Sequence, residues 1–329
     1  MSITRNKGAP LSGRFSPLRY PGGKGKLARF VAELIRVNGL EDGLYVEPYA
    51  GGAAVAWELL LTGRVRRVHV NDLSRPIYAF WRSVLDQTDE LARLVADTPL
   101  DLDTWARMKQ TFAHPDDADD LSLGYAMFYL NRTNRSGILN GGPIGGRAQS
   151  GIWNMDARYN RTELVARIER IAQARRRITL THMDATALLK EHALEWTPKT
   201  LVYLDPPYFN KGPELYYNFY KHGDHAGVAT AVRALRAVPW IVSYDDVAPI
   251  HTLYANESWL QYQIGYSARN RTKGREAMFF SAGLHIPMVA GSMIEIARWA
   301  RLQEDGQYEA PKTTTIPTAA DPQPTICSV

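Results

Sequence analysis

Apolar positions along the chain follow two rhythms. Short apolar runs around Leu44-Tyr45-Val46, Val68-His69-Val70, Ile178-Thr179-Leu180, Leu201-Val202-Tyr203-Leu204 and Ile241-Val242 read as strands buried on both faces. Between them, apolar residues recur at helical spacing. Leu27, Phe30, Val31, Leu34 and Ile35 make one such face, and Ala54–Leu61 and residues 224–237 predict two more helices. Strand–helix alternation of this kind predicts a largely parallel sheet covered by helices. Leu260–Ser267 and Ala277–Ala282 read as a terminal hairpin.

The rhythm stops between Ser74 and Arg177. Residues 76–130 carry mostly helical patterns, beginning with Ile77–Leu85. A glycine-rich run, Asn140–Arg147, follows and favours loop over packed element. A further helix, Arg161–Arg175, has Leu164, Ile168 and Ile171 as its buried stripe, and Asn160 with Glu163 suits a capping box. The middle third therefore reads as an insert in the α/β pattern.

Composition narrows the class. The 329 residues are 45% hydrophobic, enough for one large domain or two smaller ones. A net charge of +5 is compatible with a polyanionic partner. The single cysteine, Cys327, excludes an internal disulfide framework and a cysteine-based zinc site. His222 and His225 sit beside glycines and read as loop, so no metal is expected. No long apolar run or signal core occurs, which leads to an expectation of a cytoplasmic protein.

The chemistry concentrates in three places. Leu201–Leu204 ends in Asp205-Pro206-Pro207-Tyr208. Proline has no N–H and fixes φ, so the strand stops there and leaves a carboxylate and an aromatic ring on stiff backbone. Ligands of open α/β sheets bind beyond this C-terminal edge. Glu47-Pro48-Tyr49-Ala50-Gly51-Gly52-Ala53 forms a tight turn between a strand and a helix, and Asp72 ends the next strand about 20 residues later, a spacing that suits a ribose. Asp72 equally suits a helix cap, as does Asp184. Ahead of the first helix stands Arg19-Tyr20-Pro21-Gly22-Gly23-Lys24. It is not a phosphate-binding P-loop, because Gly25 follows Lys24 and Leu27 follows Lys26.

Together these motifs resemble the D12 (alpha) class of DNA adenine-N6 methyltransferases related to Dam. The Pro-Gly-Gly-Lys turn, Glu-Pro-Tyr-x-Gly, the ribose Asp, an insert and Asp-Pro-Pro-Tyr occur in the class's order, over residues 17–283. One departure is Ala53, where the last glycine is usual. The resemblance implies a Rossmann-like, mixed seven-stranded sheet with an inserted, mainly helical target-recognition domain. The expected organisation is a flexible arm at 1–16, a catalytic domain at 17–75 and 177–304, the insert at 76–176 and a disordered tail at 305–329.

It implies S-adenosyl-L-methionine as methyl donor, with Tyr20, Gly22, Gly23, Lys24, Glu47, Pro48, Gly51, Asp72 and Asp205 contacting it. Asp205, Pro206, Pro207 and Tyr208 would form the catalytic motif. Asp205 and the Pro206 carbonyl would accept from the target amine, and Tyr208 would stack on the base. Asn131, Arg132, Asn134, Arg135 and Arg147 from the insert, with Arg269, Arg271, Lys273 and Arg275 from a late basic loop, are the expected contacts to double-stranded DNA. A monomeric or weakly dimeric protein is expected, with room for a cognate restriction endonuclease as partner. Methylation of cytosine N4, of RNA adenine or of a protein glutamine, and an inactive DNA-binding module, are the alternatives.

Overall fold

A computed structural model describes residues 15–19, 24–209, 220–264, 275–289 and 291–300, of which the side chain of His222 is excepted. The sheet is built from β1 (Leu44–Glu47), β2 (Arg67–Asn71), β3 (Ile178–Thr181), β4 (Thr200–Leu204), β5 (Trp240–Asp245), β6 (Ser258–Ile264), β7 (Arg275–Phe280) and β8 (Met293–Trp299). Their spatial order is β3-β2-β1-β4-β5-β7-β6-β8. The first five are mutually parallel. β7, β6 and β8 close the sheet in antiparallel pairs. This is a Rossmann-like mixed α/β sheet.

Among the described residues eight strands stand where seven were expected. The eighth, β8, is an edge strand on β6. Ile294 and Trp299 remain 54% and 42% exposed, so β8 lacks the continuous apolar run that marks the central strands.

Successive residues of a strand point to opposite faces, and the core divides accordingly. Tyr45, Val68, Leu201, Tyr203 and Ile241 join one cluster. Val46, Val202, Leu204 and Val242 join the other. α1 (Ala28–Val37), α2 (Ala54–Leu61) and α3 (Arg75–Asp86) supply the first layer through Val31, Trp57 and Phe80. α8 (Ala185–His192) and the helices His222–Arg233 and Ala248–Leu253 supply the second. Residues 222–225, expected as loop, thus open a helix, and the His225 ring is buried with Nδ1 3.2 Å from the Tyr244 hydroxyl.

The insert is helical as expected. α4 (Thr88–Asp97), α6 (Asp120–Thr133) and α7 (Arg161–Ala172) pack with α3, and α5 (Leu102–Ala113) packs on α6. α6 crosses α3 backbone to backbone at Gly124, where a Cβ would lie 2.6 Å from Phe80 Cα. Phe80, Phe128, Leu164 and Ile168 belong to the same cluster as the first sheet face. The insert therefore shares its core with the sheet. Arg161 donates to the carbonyls of Val95, Ala96 and Thr98, satisfying the open end of α4. Of the segment expected to be a flexible arm, Phe15 and Ser16 are packed, Phe15 beneath the Arg170 guanidinium at 4.8 Å.

Candidate active site

β1 is flanked by β2 on one side and β4 on the other. The chain order reverses here, so a crevice opens beyond the C-terminal ends of these strands. Three of the chain's motifs end at it.

The turn after β1 is clamped on several sides. Gly51 takes φ +47°. Its N–H donates to Asp72 Oδ2 at 2.7 Å, and its carbonyl accepts from Trp81 Nε1 at 2.8 Å. The Gly52 carbonyl accepts from Ser16 Oγ at 2.6 Å. Ala53, the departure from the glycine pattern, sits in the left-handed region at φ +45° and ψ +34°. Glycine adopts that conformation freely, and an alanine there costs about 1–2 kcal/mol. The turn keeps a glycine-like geometry despite the methyl group.

Two carboxylates face this turn. Asp72 accepts from the N–H groups of Gly51 and Ser74, so it joins the glycine turn to the start of α3. Burial pushes it up to about 6, against the two backbone hydrogen bonds. Glu47 ends β1, is 5% exposed and accepts from the Tyr45 hydroxyl at 2.9 Å. Burial, with nearby Asp205, pushes it to about 8, against hydrogen bonds from Tyr45 and the Ala56 backbone. Asn71 fixes both strand ends, donating to the carbonyls of Pro48 and Met183. Asp184 caps α8, accepting from the N–H groups of Thr186 and Ala187.

Beyond β4, Asp205 meets Lys24 from the glycine-rich segment ahead of α1. Lys24 Nζ lies 2.8 Å from Asp205 Oδ1 and 3.0 Å from Glu276 Oε2. Ser243 on β5 donates to Asp205 Oδ1 at 2.6 Å, and Tyr203 OH lies 2.9 Å from Ser243 Oγ. Glu276 on β7 accepts from the hydroxyls of Tyr208 and Tyr262, each at 2.8 Å. Lys24 also stands 5.4 Å from the centre of the Tyr208 ring. Burial pushes Asp205 up, and Lys24 and Ser243 only partly offset it. Burial alone would depress Lys24, but Asp205 and Glu276 outweigh it and hold the ammonium well above its ordinary value. The cluster is one buried cation shared by two carboxylates, to which the Ser243, Tyr208 and Tyr262 hydroxyls also donate.

A family model matches residues 20–267, three quarters of the chain. The chain belongs to the D12 class of N6 adenine-specific DNA methyltransferases. As a D12-class protein it is an S-adenosylmethionine-dependent, adenine-specific DNA methyltransferase. Among curated proteins none matches its sequence significantly. Solved structures resemble it weakly. The rRNA methyltransferase AviRa from Streptomyces viridochromogenes is 13% identical, aligns over 82% of this chain and 90% of its own, and has a TM-score of 0.31. A class I S-adenosylmethionine-dependent methyltransferase, described as putative, from Listeria monocytogenes is 11% identical, over 80% and 62%, with a TM-score of 0.35. A conserved hypothetical protein from Streptococcus pyogenes is 11% identical, over 74% and 88%, with a TM-score of 0.28.

The structure brings Lys24, Glu47, Gly51, Asp72, Asp205 and Tyr208 of this methyltransferase to one crevice. Pro206 is buried and Pro207 half-buried beside them. Tyr20, Gly22, Gly23, Arg269, Arg271 and Lys273 lie outside the described residues. Arg135, Arg147 and Arg275 are exposed, as a surface role needs.

Asn131 and Asn134 are corrections, because neither amide faces solvent. Asn131 is 4% exposed and pairs with the Arg19 peptide, accepting from its N–H at 2.7 Å and donating to its carbonyl at 2.6 Å. Asn134 is fully buried, accepts from Trp105 Nε1 and donates to the carbonyls of Ile138 and Leu139. Both hold the loop from inside. Arg132 is half-buried and donates to the carbonyls of Pro17 and Arg158. Burial, with Arg19 and Arg167 nearby, lowers it to about 10.

Sequence reasoning missed Ser16, Trp81, Ser243, Tyr262 and Glu276. None sits in a recognisable motif, and only tertiary pairing brings them to the crevice. It also missed Ile152 and Trp153, which are 95% and 65% exposed on the loop that carries Arg147.

Proposed function

We propose that the protein transfers a methyl group from S-adenosylmethionine to N6 of a flipped adenine in duplex DNA, at a specific site. The observation that carries this reading is Asp205. It is a nearly buried carboxylate at the C-terminal end of β4, with an N–H donor, the Lys24 ammonium, already 2.8 Å from Oδ1. An exocyclic amine needs the same acceptor.

The residues around the glycine turn fit the methyl donor. Glu47 and Asp72 are carboxylates held partly or wholly out of water, with pKa values raised to about 8 and about 6. A molecule bearing an ammonium and a ribose diol would supply donors beyond those the two groups already have, and so favour their charged forms. When bound, S-adenosylmethionine supplies the electrophilic methyl group. Glu47 would hold its amino acid part and Asp72 its ribose.

The chain's own residues then prepare the nucleophile. The adenine amine is conjugated to its ring, so its lone pair is poorly available. Hydrogen bonds from its two hydrogens to Asp205 and to the Pro206 carbonyl favour a pyramidal nitrogen whose lone pair points at the methyl. The Tyr208 ring gives the base a stacking surface, and its hydroxyl is fixed on Glu276. Asp205 accepts the proton that N6 must lose. Positioning and oriented acceptors account for the acceleration. The base must leave the duplex to reach these groups. Arg135 and Arg147, with Arg275 and the late basic loop, would take the phosphates and groove edges.

Asp205→Asn keeps the side chain's shape and removes the proton acceptor. The expected result is a folded protein that forms no N6-methyladenine in adenine-containing duplex DNA, read by nucleoside mass spectrometry. Methylation at the wild-type rate would overturn the assignment.

A further inference from the structure

We propose that Glu276 is a positioning residue for methyl transfer, its two oxygens separately holding the ring that receives the base and the cation that shares Asp205. The proposal rests on the function proposed above and names a residue that function does not need in order to be stated. Glu276 is the second residue of β7, paired in register with Asp245 of β5 and Tyr262 of β6. It is 6% exposed. A carboxylate in that place is costly unless paired and hydrogen-bonded. Its partners are all functional neighbours of Asp205.

Oε1 accepts from the Tyr208 hydroxyl at 2.8 Å. Tyr208 follows two prolines that stiffen the backbone, and this hydrogen bond holds the far end of its ring. Oε2 accepts from Tyr262 OH at 2.8 Å and from Lys24 Nζ at 3.0 Å. Lys24 Nζ is at the same time 2.8 Å from Asp205 Oδ1. A target amine that donates to this oxygen must take the ammonium's place. Glu276 offers the displaced ammonium a carboxylate it already touches, so the exchange strands no buried charge. Without Glu276, Lys24 would have Asp205 alone and would compete with the base for it.

The groups facing Lys24 are Asp205 and Tyr203 from β4, Ser243 from β5, Tyr262 from β6, Glu276 from β7 and the Tyr208 ring. Among these Glu276 raises the proton affinity of both Lys24 and Asp205. Neutralising it therefore moves the acidic limb of a pH–rate profile, which Asp205 sets as proton acceptor, to lower pH. A residue that merely supported the fold would not do this.

The test is single-turnover methylation of adenine-containing duplex DNA by the full chain with saturating S-adenosylmethionine. Glu276→Gln is expected to slow the transfer step by about tenfold to a hundredfold, to leave S-adenosylmethionine binding unchanged and to shift the acidic limb of the pH profile downward. Tyr208→Phe removes the hydroxyl that Glu276 holds while leaving every charge in place. It is expected to slow transfer without the pH shift, and it carries the test if Glu276→Gln does not fold. A wild-type rate and profile in Glu276→Gln, or a wild-type rate in Tyr208→Phe, would overturn the proposal. Asp205→Asn in the same series separates the two claims. If Asp205→Asn is inactive while Glu276→Gln behaves as wild type, only the role of Glu276 fails. If Asp205→Asn methylates normally, the function itself fails.

Discussion

The Glu47 carboxylate should make the whole protein less stable as pH rises, and one substitution should remove the effect. In the folded state Glu47 titrates at about 8, against an ordinary 4.5, chiefly because it is buried. Unfolding returns it to water. Between these two values the native protein holds a proton that the unfolded chain has released. Stability then falls with pH at about 1.4 kcal/mol per unit. The contribution is complete below 4.5 and gone once pH has risen through about 8. Across the whole window it is worth roughly 5 kcal/mol, a large part of a typical domain's 5–15 kcal/mol.

Other groups act in the same direction or against it, Asp205 among them because burial raises it too. Asp72, raised to about 6 by burial, adds to the fall. His69, lowered to about 4 by burial and then by His192, opposes it. The informative quantity is therefore the difference between wild type and Glu47→Gln, in which these contributions cancel. The amide keeps an acceptor for the Tyr45 hydroxyl and has no charge to bury. Urea denaturation across the window should show the variant gaining on wild type with each pH unit, with unchanged m. Parallel stability curves for the two proteins would refute the reasoning. A cation bound against Glu47, as proposed for the amino group of S-adenosylmethionine, should release that proton at neutral pH, and calorimetry in buffers of different ionisation enthalpy would detect it.

Two more outcomes follow from the insert. Asn131→Ala leaves the Arg19 peptide N–H and carbonyl without their side-chain partner, and should cost about 1–3 kcal/mol in thermal or urea unfolding; full stability with loss of DNA binding would restore the base-reading role the structure argues against. Trp153 is exposed on the loop that carries Arg147 and is a candidate for the DNA face; Trp153→Ala should weaken duplex binding about tenfold, the range expected for one stacked base, without changing stability or S-adenosylmethionine affinity, and an unchanged DNA dissociation constant would exclude it.

Much of the sheet was legible because its strands are buried on both faces and read as continuous apolar runs. β1, β4 and β5 were each bounded by a glycine, proline or acid that the sequence displays openly. β8 was not, since an edge strand with one wet face carries half the signal. The site divides in the same way. Lys24, Glu47, Gly51, Asp72 and Asp205 lie in local motifs, where backbone geometry dictates the residue type. Glu276 and Ser243 are on strands and look like ordinary polar residues until β7 and β5 pair. Asn131 and Asn134 misled for a physical reason. Asparagine suits base edges and backbone amides equally well, and only burial tells the two uses apart.

The described residues ahead of α1 tie the insert to the turn after β1. Ser16 holds the Gly52 carbonyl with its hydroxyl, and its own carbonyl accepts from Arg167 of α7. The Pro17 carbonyl accepts from Arg132, and the Arg19 peptide is bracketed by Asn131, both on α6. Lys24, a few residues on, holds Asp205. Residues 16–19 are thus tied to the turn after β1 and to α6 and α7 of the insert. Any movement of the insert relative to the sheet must carry this stretch along or break the Asn131 pairing. Asn131, which a sequence reading assigns to DNA, serves instead as a joint between α6 and the Arg19 peptide.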